Sequence, residues 1–231
     1  MNNYRSTSFH LKFTGLSALL LSVLTLVTFG FAMTAVPPSG PYCPENCMSY
    51  PFPDILSYYP RDYYWMYLAI FQLFAFVIFM SANHYSVAEE MRLFSAVGMA
   101  FSLISATVLL IAYYTQFSVV PASIMHGETE GIALITQYNE RGVFIAMEEL
   151  GYITMSIALL FLSLTFSSKP ALSSVIRVML ILAFPLTAGA FIFYSVKSGI
   201  HRSYMFEVAA ITINWLLLIP AGFLIFLYFR R

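Results

Sequence analysis

"RGVFIAMEELGYITMSIALLFL", Arg141–Leu162, is apolar enough to cross a bilayer, yet two glutamates, Glu148 and Glu149, stand side by side near its start. A bilayer core is about 30 Å thick and takes about 20 apolar residues in a helix. Backbone groups in lipid must bond within their own segment, so a spanning stretch of this kind is helical. Five further stretches share its length and character. Together they decide the fold class: all-α, a polytopic transmembrane helical bundle of six spans. The spans are read at about 12–36, 63–82, 93–117, 142–166, 175–196 and 205–229, within one integral membrane domain covering 1–231.

Composition agrees. The chain is 60% apolar, 17% aromatic and only 10% charged, where soluble domains carry about 25% charged residues. Its formal charge is zero and no basic block interrupts it, so nucleic acid is not an expected partner. Membrane lipids are. No Gly/Ser-rich linker marks a second domain, and no internal repeat points to an inverted-repeat transporter.

The breaks between spans have local causes. Pro37 and Pro38 stop the first, because proline lacks the amide hydrogen that a helix needs. The polar turns "NHYSVAEEMR" (83–92), "SSKPALSS" (167–174) and "KSGIHRSY" (197–204) separate later pairs. Lysine and arginine set the orientation. With the N-terminus inside, Arg5, Lys12, Arg92, Lys169, Arg177, Arg230 and Arg231 are cytoplasmic, and Arg61, Arg141, Lys197 and Arg202 lie outside. Seven against four favours both termini in the cytoplasm and a multi-pass protein of the cell membrane. A signal peptide cleaved near "GFA" (30–32) is the alternative for the first span, but its apolar run exceeds the usual 7–15 residues. Two long loops, 37–62 and 118–141, then fall outside, where loops tend to carry function. Within the second, "GIALITQY" is read as a short surface helix.

Cys43 and Cys47, the only cysteines, fall in the first outer loop and are read as a disulfide, since that compartment can be oxidising. Two thiolates without a nearby histidine supply too few zinc ligands, so no metal is expected. No Walker loop or nucleophile elbow is present, and no cofactor is expected.

Residues three and four apart share a helix face, which groups Glu149 with Tyr152, Ser156 and Ser163. On this reading Glu149 points into the bundle and Glu148, nearer the interface, reaches water. Glu207 and Asn214 share a face of the last span. Gln72 and Asn214 both lie roughly 13 Å inside their outer ends at 1.5 Å per residue. Gln72, Ser105, Glu149, Tyr152, Glu207 and Asn214 are therefore candidate ligand-binding residues around one polar cavity, with His126, Glu128 and Glu130 over its mouth. The bland alternative is helix glue, since amides and hydroxyls also join membrane helices. Small residues form two packing stripes, Gly15/Ala18/Ser22/Thr25 and Ser95/Gly98/Ser102/Ser105. Tyr58, Tyr59, Tyr63, Tyr64, Trp65 and Tyr67 resemble an interfacial aromatic belt.

The stretches "EEMRLFSAVGMAFSLISATVLLI" (89–111) and "MEELGYITMSIALLFLSLTFSSKPALSSVIRVMLIL" (147–182), with the terminal "FRR", give the chain a resemblance to uncharacterised prokaryotic six-helix integral membrane proteins of the domain-of-unknown-function type. That resemblance implies a fold and no activity. "NWLLLIPAG" (214–222) is similar to the last helix of the emopamil-binding sterol isomerases, and no catalytic residue carries over. The leading expectation is a membrane protein with an outward-facing polar cavity for a small or lipid-like molecule. The alternatives are a membrane-embedded enzyme using Glu149 and Glu207 on a lipid, and a structural subunit whose packing stripes dock a partner.

Overall fold

Six long helices dominate the structure, a computed structural model that describes residues 2–35, 38–167 and 169–230, and the side chains of these except 2–8 and 203. In chain order the helices are α1 (Asn2–Ala32), α2 (Tyr64–Ser86), α3 (Arg92–Ser118), the short α4 (Val120–Met125) and α5 (Ile132–Ile135), then α6 (Val143–Ser163), α7 (Ala171–Ser198) and α8 (Ser203–Arg230). No strand occurs among the described residues. All six long helices are long and apolar enough to cross a membrane. Their outer faces carry exposed Leu20, Phe71, Phe74, Ile111, Ile192 and Phe193, an apolar surface too extensive for water. The chain is a multi-pass membrane protein.

The boundaries follow the hydropathy reading to within a few residues, with two instructive departures. α1 begins earlier than the apolar run does, because its polar opening turns are also helical. It ends at Ala32, where bonds from Thr34 to Phe31 and from Ala35 to Ala32 tighten the chain. Of the two prolines read as its stop, Pro37 lies outside the described residues, as does Arg231. α6 stops at Ser163, and Leu164, Thr165 and Phe166 continue only in turns bonded three residues back.

The long helices pack in a ring, α1–α2–α3–α6–α7–α8 and back to α1, and α6 also reaches α8. The two expected packing stripes are the seams of this ring. On α1, Ser22 Oγ donates to the Ile219 carbonyl of α8 at 2.6 Å. There a Cβ on Gly222 would stand 2.8 Å from the Ala18 carbonyl oxygen, and one on Gly15 would stand 3.1 Å from Phe229. On α3, Ser105 Oγ donates to the Gly151 carbonyl of α6 at 2.8 Å, and a Cβ on Gly98 would stand 3.3 Å from the Ala158 carbonyl. Small residues let the backbones approach, and dispersion and hydroxyl bonds then hold helices that lipid does not drive together. α6 is the most enclosed long helix, with 61% of its apolar window buried.

The two long loops meet at one end of the ring, where α2, α6 and α8 begin. They fold over it as a cap with its own small core of Phe52, Ile55, Val120, Ile132 and Tyr138. Ser39 Oγ donates to the Tyr138 carbonyl at 2.7 Å and so ties one loop to the other. Gln116, in the last turn of α3, donates to the Ile135 carbonyl and accepts from the Gln137 amide, each at 2.8 Å. The second loop thereby hangs from a buried side chain. Cys43 and Cys47 are joined by a disulfide within the first loop.

Candidate functional site

Under the cap lies a cavity of about 510 Å³, bounded by the end of α1, the starts of α2, α6 and α8, and both loops. Phe29 and Ala32 reach it from α1, Trp65 from α2, Phe144 and Glu148 from α6, and Tyr204, Glu207, Ile211 and Trp215 from α8; Ser39, Tyr42 and Tyr138 roof it. The cavity meets the surface along Met33 and Tyr42, which are 71% and 47% exposed. Its walls are mainly apolar and aromatic with a few acidic groups, the usual make-up of a ligand pocket, and its volume falls in the usual range of about 300–1,000 Å³.

The acidic groups are placed by helix geometry. Glu148 is in the second turn of α6 and Glu207 in the second turn of α8, and these two helices enter the bundle from the same end and touch. Glu148 is 1% exposed and Glu207 6%. The Glu148 carboxyl lies within hydrogen-bonding reach of Glu207 and of the Tyr113 hydroxyl of α3. Tyr113 and Tyr152 share a hydrogen bond of 2.9 Å directly below. Even so, Glu148 Oε1 and Glu207 Oε2 have no hydrogen-bond partner. Buried carboxyl oxygens of that kind are costly to leave unsatisfied. In the roof, the Tyr42 phenol is pushed above its ordinary range, first by partial burial and then by Tyr194 and Glu207.

Both adjacent glutamates are buried, and it is Glu148, not Glu149, that lines the cavity. Glu148 does not reach water; it faces the cavity. Glu149, 8% exposed, turns instead to Arg202, whose Nη2 lies 3.3 Å from Glu149 Oε2. The Arg202 guanidinium also sits 4.7 Å from the centre of the Phe191 ring. The polar stripe that favoured Glu149 misled for a physical reason. Ser156 and Ser163 donate to the carbonyls of Ile153 and Leu160 in their own helix, so they mark no polar partner. On a helix buried on most sides, Tyr152 stands as close in register to Glu148 as to Glu149.

Of the other candidates, Glu207 alone lines the cavity. Asn214 Nδ2 donates to the Tyr152 and Ala210 carbonyls and to Thr187 Oγ1 at 3.3, 2.9 and 3.3 Å, which joins α6, α7 and α8. Ser105 joins α3 to α6, and Tyr152 joins α6 to α3. These are glue. Gln72 is buried in α2 away from the cavity lining. His126, Glu128 and Glu130 are exposed on the second loop and do not cover the mouth. The cover comes from Tyr42 and Tyr138, which carried no sequence signal beyond loop membership. Within the aromatic belt, Tyr59, Tyr64 and Tyr67 are exposed as expected, but Tyr63 is fully buried and Trp65 turns to the cavity.

No family model, no curated protein and no solved structure matches the chain.

Proposed function

We propose that the chain is a binding protein of the cell membrane whose capped cavity takes a small or lipid-like molecule. The observation that carries this reading is the pair Glu148 and Glu207. Both are buried, both line one apolar cavity of about 510 Å³, and each keeps an oxygen without a partner. A protein that needed these helices only for packing would gain from apolar residues there, since replacing buried ionic groups by hydrocarbon is often neutral or stabilising.

The cap is assigned to the outer side and both termini to the cytoplasm. Arg61, Arg141, Lys197 and Arg202 all fall at the capped end, and the larger group of basic residues falls at the other, as the positive-inside rule requires. The disulfide in the cap supports the same side, because disulfides persist in oxidising compartments. The rim at Met33 sits where α1 ends, so an amphiphile can reach the cavity from the bilayer interface.

Native mass spectrometry of the full chain in lipid nanodiscs tests the reading. The wild type is expected to retain a non-covalent adduct that Thr212→Trp, which fills the cavity from α8, sheds. An adduct of equal occupancy in both proteins would contradict it.

A further inference from the structure

The charges at the capped end do not balance within the protein. Arg61 is bound to Asp62 at 2.6 Å, Arg141 to Glu140 at 2.9 Å and Arg202 to Glu149 at 3.3 Å. Lys197 Nζ sits 5.8 Å from the centre of the Phe193 ring on the flank of α7. Every basic side chain at this end is therefore engaged elsewhere, and none lies among the residues that line the cavity. Glu148 and Glu207 face each other there with no cation between them.

The rest of the wall suits a cation with an apolar sheath. Trp65 and Trp215 lie 6.3 Å apart at 68°, Phe29 stands edge-on to Trp215 at 6.0 Å, and Tyr42 packs on Tyr204 at 5.7 Å. All five of these rings line the cavity. Aromatic faces attract organic cations, most strongly where water is excluded, and carboxylates supply the charge-assisted contact. An anion would meet three carboxyl groups, those of Asp62, Glu148 and Glu207, and no cation of the protein. A neutral lipid without a hydrogen-bond donor would leave the carboxyl oxygens as unsatisfied as before, and a hydroxyl would satisfy them without the charge that a cation brings.

We propose that the cavity binds an organic ammonium group, seated against the paired Glu148 and Glu207 carboxyls and enclosed by the tryptophan and tyrosine rings. This rests on the reading of the cavity as a binding site and names the class of its ligand.

Trp65 and Trp215 are the only tryptophans in the chain, so intrinsic fluorescence reads the cavity directly. The experiment titrates the full chain in nanodiscs with choline and, separately, with 3,3-dimethyl-1-butanol, its uncharged carbon isostere. The expected result is saturable quenching by choline at a concentration about ten-fold or more below that needed for the alcohol. Glu148→Gln and Glu207→Gln should each abolish that preference and leave the response to the alcohol unchanged, while Glu128→Gln, on the exposed loop, should behave as wild type. The comparison of the two probes on the wild type needs no variant to fold. Equal responses to both probes would overturn the ammonium assignment and leave the cavity reading standing, as would be found if the two carboxyls share a proton and present no charge. No saturable response to either probe would overturn both.

Discussion

Arg202, one residue before α8, holds Glu149 by a 3.3 Å contact between Nη2 and Oε2, and so leaves Glu148 as the carboxyl that faces the cavity. The two adjacent glutamates thus do different work. One secures the start of α8 against α6. The other lines the cavity.

The Arg202–Glu149 contact should therefore register as stability and not as binding. Its arginine is partly exposed, so its coupling should be nearer the value of a surface pair than that of a buried one, about 1 kcal/mol. A double-mutant cycle with Glu149→Gln and Arg202→Gln, read by thermal unfolding in detergent, is expected to give that coupling with the choline response intact. Loss of the choline preference in Glu149→Gln, with its fold preserved, would reverse the division between the two glutamates.

A second expectation concerns helix approach. A Cβ on Gly151 would stand 2.5 Å from the Leu109 side chain, whereas one on Gly222 would stand 2.8 Å from the Ala18 backbone oxygen. Gly151→Ala should cost about 1–3 kcal/mol, the usual range for overpacking, and Leu109→Ala should restore part of it. Gly222→Ala meets that backbone oxygen as well as the Ser22 Cβ at 2.9 Å, so a side-chain change on α1 should rescue it less. Equal rescue at both sites would mean that the α1–α8 seam is looser than it stands here.

Much of this architecture was legible in the chain. Span length and hydropathy are one-dimensional properties, and they placed six helices. The small-residue stripes were legible for a similar reason, because close approach needs Gly, Ala or Ser whatever the neighbour is. The cysteine pair was too, from its loop. Helix rotation was not legible. Glu148 and Glu149 differ by about 100° around α6, and on a helix enclosed on most sides polarity alone does not say which direction is the cavity. The answer lay in Arg202, at the end of a turn whose path the sequence does not state. The cavity wall itself comes from the end of α1 and from loop residues Ser39, Tyr42 and Tyr138. These are brought together by tertiary bonds such as Ser39 to the Tyr138 carbonyl.

The cap should depend on Gln116. Its side chain is buried and bonds both the Ile135 carbonyl and the Gln137 amide. Gln116→Leu removes both bonds and strands the two backbone groups, at a cost of about 1–3 kcal/mol for each buried group left unpaired. Hydrogen exchange of amides 132–140 should accelerate in this variant while those of α6 stay protected. Unchanged exchange over 132–140 would show that the loop is held by its apolar cluster alone.

The disulfide and the orientation can be read together. Native protein prepared without reductant should resist alkylation at Cys43 and Cys47, and two alkylated cysteines would contradict the bond. With those two replaced by serine, a cysteine introduced at Arg230 should react with an impermeant maleimide only after the membrane is opened. Labelling in intact cells would place the C-terminus outside.

The central claim is that the space between Glu148, Glu207 and Trp215 is a ligand site. An experimental density map of the full chain in lipid nanodiscs tests it most directly. The account predicts non-protein density in the capped cavity, in contact with the Glu148 and Glu207 carboxyls and against the Trp65 and Trp215 rings. A cavity collapsed onto its own side chains, with Glu148 turned out toward lipid, would contradict it.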